Sequence, residues 1–471
     1  MSDVKSHRVV IVGAGPAGTR AAQCLIGHGL RPTVITEAMS NGGQIYRRQP
    51  EGFRRPPEKL YGSEAAKATA LHATFDALRG SMDFRPGTTV LNVVERSLFL
   101  DAPAGIEELA FDSLILATGA MDRVMPLPGW TLPGVFTLGG SQVALKHQAC
   151  AIGRCVAFVG TGPLLYLVAY QYAKAGVEVS CVLDTSTFDD KFSGLADMLA
   201  SPRAAGLGIY YMLWLKARGI RLIQGAQPLS VAGSDCVQAV RYRHAGAEHV
   251  VSCDAVGMGY GLKPESQLAQ LAGCQLEFNS VQRLWGVRHD GDGRAGAGIY
   301  VAGDCVAIEG ADSAELQGER AALSLLADLG IAIPSRRLRH LRARVRRLQK
   351  FRRGIERAFP FPESVTSAIP KDTLVCRCEA VTLAQLDEAM EELGPDGSNR
   401  LKAFSRIGMG RCQGRVCGPY ICEYLAARTG SPVSAISPLR PQAPIKPLAF
   451  AKAARHAEPG HELPQNENEG A

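Results

Sequence analysis

Apolar residues in the first forty positions form a short continuous run, a glycine-rich break and then a helix-period stretch. Arg8 to Val12 predicts a buried strand, a helix follows through Leu25, and a second strand runs from Thr33 to Thr36, which is half of a βαβ unit. The same order returns from Val156 to Leu183, so the chain carries two nucleotide-fold openings. Within the second opening, Cys155 to Ala173 is uncharged for nineteen residues and reaches membrane-spanning length. Gly160, Gly162 and Pro163 interrupt it, so VAFVG predicts a buried strand, LLYLVAYQYA a helix, and no transmembrane segment is expected. A third strand pattern, Gly298 to Asp304, precedes a helical run that closes at Gly330, a C-cap signal. Leu338, Leu341, Val345, Leu348, Phe351 and Ile355 then recur at spacings of three and four, which predicts an amphipathic helix. A connector from Phe359 to Pro370 leads to a cysteine-rich module between Val375 and about Thr429. The tail beyond it contains RPQAPIKP and ends in a polar stretch, EPGHELPQNENEGA, expected to be disordered. No tandem repeat stands out, so no solenoid is expected.

Length agrees with this pattern, since 471 residues correspond to roughly three folding units at about 150 residues each. A content of 46% hydrophobic and 21% charged residues excludes wholesale disorder and a small disulfide scaffold. The N-terminus shows no secretory leader, so a cytoplasmic location is expected, with the thirteen cysteines reduced or metal-bound. Net charge is +7, but the window Arg336 to Arg357 alone holds eleven Lys or Arg and one acid, and without it the balance is −3. The basicity is local. With no recognition fold or interleaved aromatics beside it, the helix is expected to cover the scaffold or dock onto a partner, and no nucleic acid is expected.

Gly13-Ala14-Gly15-Pro16-Ala17-Gly18 fits GxGxxG directly after a strand and at the start of a helix. Gly13 makes the tight turn, Gly15 admits a pyrophosphate to the backbone, and Gly18 lets helix and strand pack closely. Glu37 ends the next strand twenty-four residues after Gly13, where a carboxylate accepts ribose hydroxyls. Gly42-Gly43-Gln44-Ile45-Tyr46, Ala117-Thr118-Gly119 and Ala302-Gly303-Asp304 follow in the order of two-domain flavoprotein reductases, which the chain resembles. That resemblance implies FAD, with Gly43, Gln44, Thr118, Gly119, Gly303 and Asp304 among its contacts. Without it, ATG is a small-residue strand end and Asp304 a helix N-cap.

The second loop, Gly160-Thr161-Gly162-Pro163-Leu164-Leu165, lacks the third glycine, and Asp184 again lies twenty-four residues after the first. Leu165 keeps the helix further from the strand. With no Arg near Asp184, NAD is favoured over NADP if Gly160, Gly162 and Asp184 bind a nucleotide; another adenine nucleotide and a vestigial domain stay open. Cys150 and Cys155 have CxxxxC spacing but flank a strand entry, so they read as unpaired thiols and disulfide reductase activity is disfavoured.

Cys376-Arg377-Cys378 is followed, after thirty-three residues, by Cys412-Gln413-Gly414-Arg415-Val416-Cys417. Four thiolates in two pairs can hold zinc or a two-iron cluster. Zinc ribbons usually use CxxC knuckles, whereas this spacing resembles the small [2Fe-2S] domain of bacterioferritin-associated ferredoxin. Cys422 reads as a packing residue on the following helix.

Together these motifs are similar to those of the A subunits of bacterial opine oxidases, the flavin and iron-sulfur subunit of hydrogen cyanide synthase, and the alpha subunits of dye-linked proline dehydrogenases. The resemblance runs from Val9 to about residue 450 and is most particular in GGQIYR, LPGWTLPGVFTLGGSQ, GTGPLL and GMGRCQGRVC. It implies an α/β, two-dinucleotide-binding-domain flavoprotein fold, Rossmann-like, with a discontinuous FAD domain, an inserted NAD-like domain and a small C-terminal [2Fe-2S] domain. The expected boundaries are residues 1–145 and 285–334 for the FAD domain, 146–284 for the second nucleotide domain, 335–370 for the basic helix and connector, 371–430 for the cluster domain and 431–471 for the tail. The implied function is a flavin and iron-sulfur electron-transfer subunit of a heteromeric dehydrogenase or oxidase working on the C–N bond of an opine or amino acid. Its implied partners are a smaller FAD-containing subunit of the amino-acid-oxidase type, an electron acceptor and, in some assemblies, a third small ferredoxin-like subunit; membrane association would come through a partner. The chain shows no catalytic His, Tyr or Arg constellation for the oxidation itself. No motif encodes an FMN at a subunit interface, and that question stays open, as does the choice of substrate among opine, proline, hydroxyproline and glycine. The alternative is a self-contained NAD(P)H-dependent flavoprotein reductase that passes electrons through [2Fe-2S].

Overall fold

The computed structural model describes residues 6–50, 52–53, 55–363, 369–394 and 397–449; the polar end of the tail lies outside the described residues. In chain order the strands of the two large sheets are β1 (Val9–Val12), β2 (Thr33–Ile35), β3 (Asp83–Arg85), β4 (Ser113–Leu116), β5 (Val135–Thr137), β6 (Cys155–Thr161), β7 (Glu178–Asp184), β8 (Arg221–Gln224), β9 (Ala255–Tyr260), β10 (Arg294–Gly296) and β11 (Ile299–Val301). The first sheet has the order β10-β11-β4-β1-β2-β3 and the second β8-β7-β6-β9-β5. Pairing is parallel except at β10, so helices must cover the faces, and β1, β4 and β11 are buried along their whole length. Because β11 pairs with β4 across the intervening second sheet, the first sheet is assembled from both flanks of the insert.

Two segments sit on the other side of the boundaries expected from the glycine loops. Strand β5 joins the second sheet through Val256, Gly257 and Met258. Leu268, Ala269 and Cys274 pack in the core of the first. The crossings are made by the antiparallel pair Ala120–Asp122 and Leu262–Pro264, in register Leu262 with Asp122. Strand pairing, rather than the next motif, decides where one sheet ends.

The helices that matter to the sites are α1 (Pro16–Gly27), α2 (Pro163–Lys174), α3 (Ala311–Asp328), α4 (Ser335–Ala358), α5 (Leu383–Leu393) and α6 (Gly418–Thr429). The basic segment is the single long helix α4, which buries Leu341, Val345 and Ile355 as its apolar spacing requires. Arg342 pairs with Asp292, and Arg357 with Asp197 at 3.1 Å, so the helix is fastened to both nucleotide domains.

Small elements build the cysteine-rich module: a hairpin of Leu374–Cys376 with Val381–Thr382, helix α5 opened by a reciprocal Thr382–Gln385 capping box, and α6. It does not hang free. Val375, Leu386, Leu401, Tyr420, Ile421 and Leu425 share one buried core with Met125, Trp130 and Tyr260 of the second domain, and the Trp130 indole donates to Leu374 C=O at 2.7 Å. Among the described residues no helix is long and apolar enough to cross a membrane.

Candidate flavin and iron-sulfur sites

Strand β1 turns at Gly13, whose φ is +112° and whose added Cβ would lie 2.2 Å from Ala117 O. Only glycine fits there. Gly15 is the N-cap of α1, Pro16 its first residue, and Ala17 and Gly18 occupy the first turn, where their amides have no intrahelical acceptor. A Cβ on Gly18 would strike Gly13 O at 1.8 Å. Gly43, at φ +61°, faces Gly15 across a gap in which its own Cβ would come within 3.0 Å of the Gly15 Cα. Two glycine loops thus leave a narrow cradle at a helix N-terminus, which fits a pyrophosphate. In the loop before Gly42 the amide nitrogen of the buried Asn41 has no hydrogen-bond partner among the described residues. Gln44 is exposed and its side chain accepts from Arg47 at 2.7 Å.

Glu37 lies two residues beyond the end of β2, and its carboxylate is met by Lys446 at 3.0 Å. On the other flank, Gly303 donates its N–H to Gln317 Oε1 at 2.9 Å and packs on the Ala17 Cβ. Asp304 accepts from the amides of Glu309 (3.0 Å) and Gly310 (3.2 Å); burial raises its pKa against those bonds. Thr118 Oγ1 donates to Glu265 C=O at 2.6 Å, and Gly119 C=O accepts the Glu265 N–H at 2.9 Å. Gly13, Gly15, Gly43, Gly303 and Asp304 therefore belong to one neighbourhood that fits a dinucleotide.

At the second loop the geometry differs. Gly160 is held by its neighbour strand, where a Cβ would lie 1.7 Å from Gly259 O, while Gly162 (φ +103°) has open space. Leu165, in the place of the third glycine, is fully buried in the core under α2. Asp184 is 0% exposed. One of its oxygens accepts from Tyr166 O–H (2.6 Å) and Lys191 Nζ (2.8 Å), the other from Ser186 N–H (3.0 Å) and Ser186 Oγ (2.8 Å). Those four donors fill the acceptor capacity of a carboxylate, so none is left for a ribose. The connector covers the same place: Phe359 lies 6.3 Å from the Tyr166 ring, and Lys191 Nζ sits over both rings. Pro360 and Pro362 wall a cavity of about 240 Å³ with Thr185, Thr187 and Gly225.

The four motif cysteines come together as two pairs. Cys376 ends its strand and hydrogen-bonds with Cys417, the N-cap of α6; Cys378 does so with Cys412 on the loop before α6. The Cys417 thiol, with the amides of Gly408, Glu379 and Cys378, lowers the Cys376 pKa to about 5 despite burial, while the same contact and burial raise that of Cys417, so the two sulfurs share one proton. The loop can wrap this closely because Gly408 and Gly414 have positive φ and Gly410 leaves no room for a Cβ, which would lie 2.4 Å from that of Cys378. Two thiol pairs on a tightly wound loop supply the four sulfur donors a two-iron cluster takes, although among the described residues no three such side chains stand together as a formed metal site. Cys150 and Cys155 are free, and Cys422 is buried in the module core.

Sequence spacing missed the residues that join these sites. Arg415, between Cys412 and Cys417, pairs with Glu265 at 2.9 Å. Burial raises the Glu265 pKa, but Arg415 and Lys263 outweigh it and hold the carboxyl below its usual range. Glu265 in turn holds Thr118 and Gly119, so one ion pair separates the first nucleotide site from the cluster loop. A cation inside the CxxxxC loop was the available signal; its distant partner was not readable.

Comparison with known proteins finds a family match over each of the two regions. Residues 7–318 match the pyridine nucleotide-disulphide oxidoreductase family, and residues 374–427 match the BFD-like [2Fe-2S] binding domain. Over 96% of its length the chain is 35% identical to the opine oxidase A-subunit of Rhizobium meliloti, of which it covers 88%. It is 32% identical to HcnB, the hydrogen cyanide synthase subunit of Pseudomonas aeruginosa, with 94% of this chain and 97% of that one covered. Among solved structures, an L-proline dehydrogenase from P. horikoshii superposes with a TM-score of 0.70 at 21% identity, covering 95% of this chain and 79% of that chain. These matches imply FAD and a [2Fe-2S] cluster as cofactors, and the opine oxidase and hydrogen cyanide synthase relatives are themselves named as subunits. The chain belongs to the pyridine nucleotide-disulphide oxidoreductase family, together with the opine oxidase A-subunits and HcnB, and is a flavin- and iron-sulfur-type oxidoreductase with a C-terminal BFD-like [2Fe-2S] binding domain.

Proposed function

We propose that this chain is the electron-transfer subunit of a heteromeric dehydrogenase in which a smaller FAD-containing partner of the amino-acid-oxidase type oxidises the C–N bond of an opine or amino acid. In that reaction a C–H bond next to nitrogen breaks in the partner, its hydrogen leaves with the electron pair to the oxidant the partner's FAD would supply, the nitrogen releases a proton to solvent, and the imine remains. The observation that carries the reading is the ion pair Glu265–Arg415 between the first nucleotide site and the cluster loop. When bound, a flavin takes electrons in pairs and a [2Fe-2S] cluster hands them on singly.

In this reading Gly13, Gly15, Pro16, Ala17 and Gly18 cradle the FAD pyrophosphate, Glu37 takes the ribose, and Gly43, Gln44, Thr118, Gly119, Gly303 and Asp304 line the remainder. Cys376, Cys378, Cys412 and Cys417 ligate the iron. The amides of the cluster loop point at sulfur, and Arg415 adds positive charge beside it, both of which favour the reduced cluster.

The saturated state of Asp184 and the Phe359 cover support delivery of electrons by a partner rather than by NAD(P)H. The second reading, a self-contained NAD(P)H reductase, draws on the open, positive-φ Gly162 at the start of α2, with Gly160 and Asp184 then rearranging to take a nucleotide. Anaerobic titration of the purified chain with NADH separates the two. The electron-transfer reading expects the flavin absorption to persist at millimolar NADH; bleaching within seconds would establish the reductase. Substitution of Lys191 by alanine together with Phe359 by alanine, which removes one of the four donors on Asp184 and the ring that covers it, is expected to raise NADH affinity if the covering contacts are what closes the site.

A further inference from the structure

After α6 the chain returns along the flavin side. Leu439 is buried against the cluster loop, close enough that a Cβ on Gly408 or Gly414 would meet its Cδ1 at 2.5 or 2.6 Å. Six residues on, Ile445 is 3% exposed, donates its N–H to Leu91 C=O at 3.0 Å and accepts from Arg415 Nη1 at 2.5 Å. That anchoring sets the next side chain. Lys446 Nζ lies 3.0 and 3.2 Å from the two oxygens of Glu37. Residues 439–446 therefore form a strap from the cluster loop to the carboxylate at the ribose position of the first nucleotide site. Arg415 holds the strap at one nitrogen and, through Glu265, the Thr118–Gly119 turn at another.

The Lys446–Glu37 pair is 32% and 56% exposed, and an ion pair so open to water contributes little to folding stability. Its placement matters for binding instead. A ribose diol needs both carboxylate oxygens ionised and facing it, and a carboxylate has about four acceptor positions. One ammonium shared between the two oxygens leaves capacity for two hydroxyls, while fixing the rotamer and the charge of the group that receives them.

We propose that Lys446 is a positioning residue of the FAD site, delivered by the C-terminal strap to orient Glu37 toward the adenosine ribose. This rests on the reading of Glu37 as the ribose acceptor. The test uses the full-length chain stripped of flavin and titrated with FAD, and separately with FMN, which lacks the adenosine; binding is followed by quenching of flavin fluorescence. Lys446→Ala is expected to raise the Kd for FAD about three- to tenfold, with Lys446→Arg restoring most of the affinity and FMN binding unchanged. Because Lys446 acts through Glu37, Lys446→Ala in a Glu37→Gln background is expected to add no further loss. Equal FAD affinity in wild type and Lys446→Ala, with Glu37→Gln still impaired, would overturn the role of the strap and leave the ribose reading standing. An equal loss of FAD and FMN, or additive losses in the double variant, would also overturn it. Failure of the wild-type chain to take up FAD, or indifference to Glu37→Gln, would remove the ribose reading and the proposal together.

Discussion

Replacing Cys412 by serine is expected to abolish the [2Fe-2S] absorption and EPR signals of the purified protein while leaving its flavin spectrum in place. Cys412 sits beside Cys378 and forms one of the two thiol pairs, so its loss leaves one iron with a single protein thiolate. Iron content is expected to fall from about two per chain to a small fraction of that. The proposed flavin site draws on the first sheet and α1, and the four proposed cluster ligands lie outside both, so flavin retention is the internal control. Cys422→Ser is expected to keep the cluster, since that thiol is buried in the module core and belongs to neither pair. Loss of iron in Cys422→Ser with retention in Cys412→Ser would reverse the ligand assignment.

The second large effect concerns how the module is held. Glu423 on α6 is 3% exposed and pairs with Arg123, itself 4% exposed, at 2.9 Å and with Arg283 at 2.9 Å. Burial lowers the Arg123 pKa to about 10, Glu423 opposes that, and the guanidinium lies 3.7 Å from the Phe361 ring of the connector. Three segments distant in sequence meet the cluster-domain helix here: Arg123 after the crossover strand, Arg283 in the turn between the paired strands Leu276–Asn279 and Leu284–Val287, and Phe361 of the connector, which covers Arg123. Removing one partner of a buried pair strands the other charges, at a cost of about 3–5 kcal/mol. Glu423→Ala is therefore expected to lose about that much stability in urea unfolding, with earlier release of the cluster than of the flavin. Replacing Arg123 and Glu423 together with apolar residues of similar volume is expected to recover much of the loss. A loss below about 1 kcal/mol in the single variant, the value of an exposed pair, would contradict the buried clamp.

Local features were legible from the sequence and long-range ones were not. The βα turns at Gly13 and Gly160 were readable because a strand, a glycine turn and a helix are consecutive in the chain. The cysteine spacing pointed to paired ligands for the same reason. Helix α4 followed from its apolar period alone. What escaped depends on which remote side chain arrives at a site. Asp184 matched a ribose acceptor by spacing, yet Tyr166, Ser186 and Lys191 saturate it and Phe359, far along the chain, covers it. Likewise Lys446 lies in a Pro-rich tail with no motif, and only the anchoring of Ile445 shows where it goes. The domain crossings were displaced because a short strand, β5, is assigned by its partner in β9 rather than by its own sequence.

The most direct test of the electron-transfer role is anaerobic EPR on the chain co-purified with the proposed amino-acid-oxidase-type partner. Addition of the opine or amino acid substrate is predicted to produce the signal of a reduced [2Fe-2S] cluster within the turnover time, to do so only when the partner is present, and to lose it in Cys412→Ser. Appearance of the same signal in the isolated chain on addition of NADH, with no response to substrate in the complex, would contradict that role.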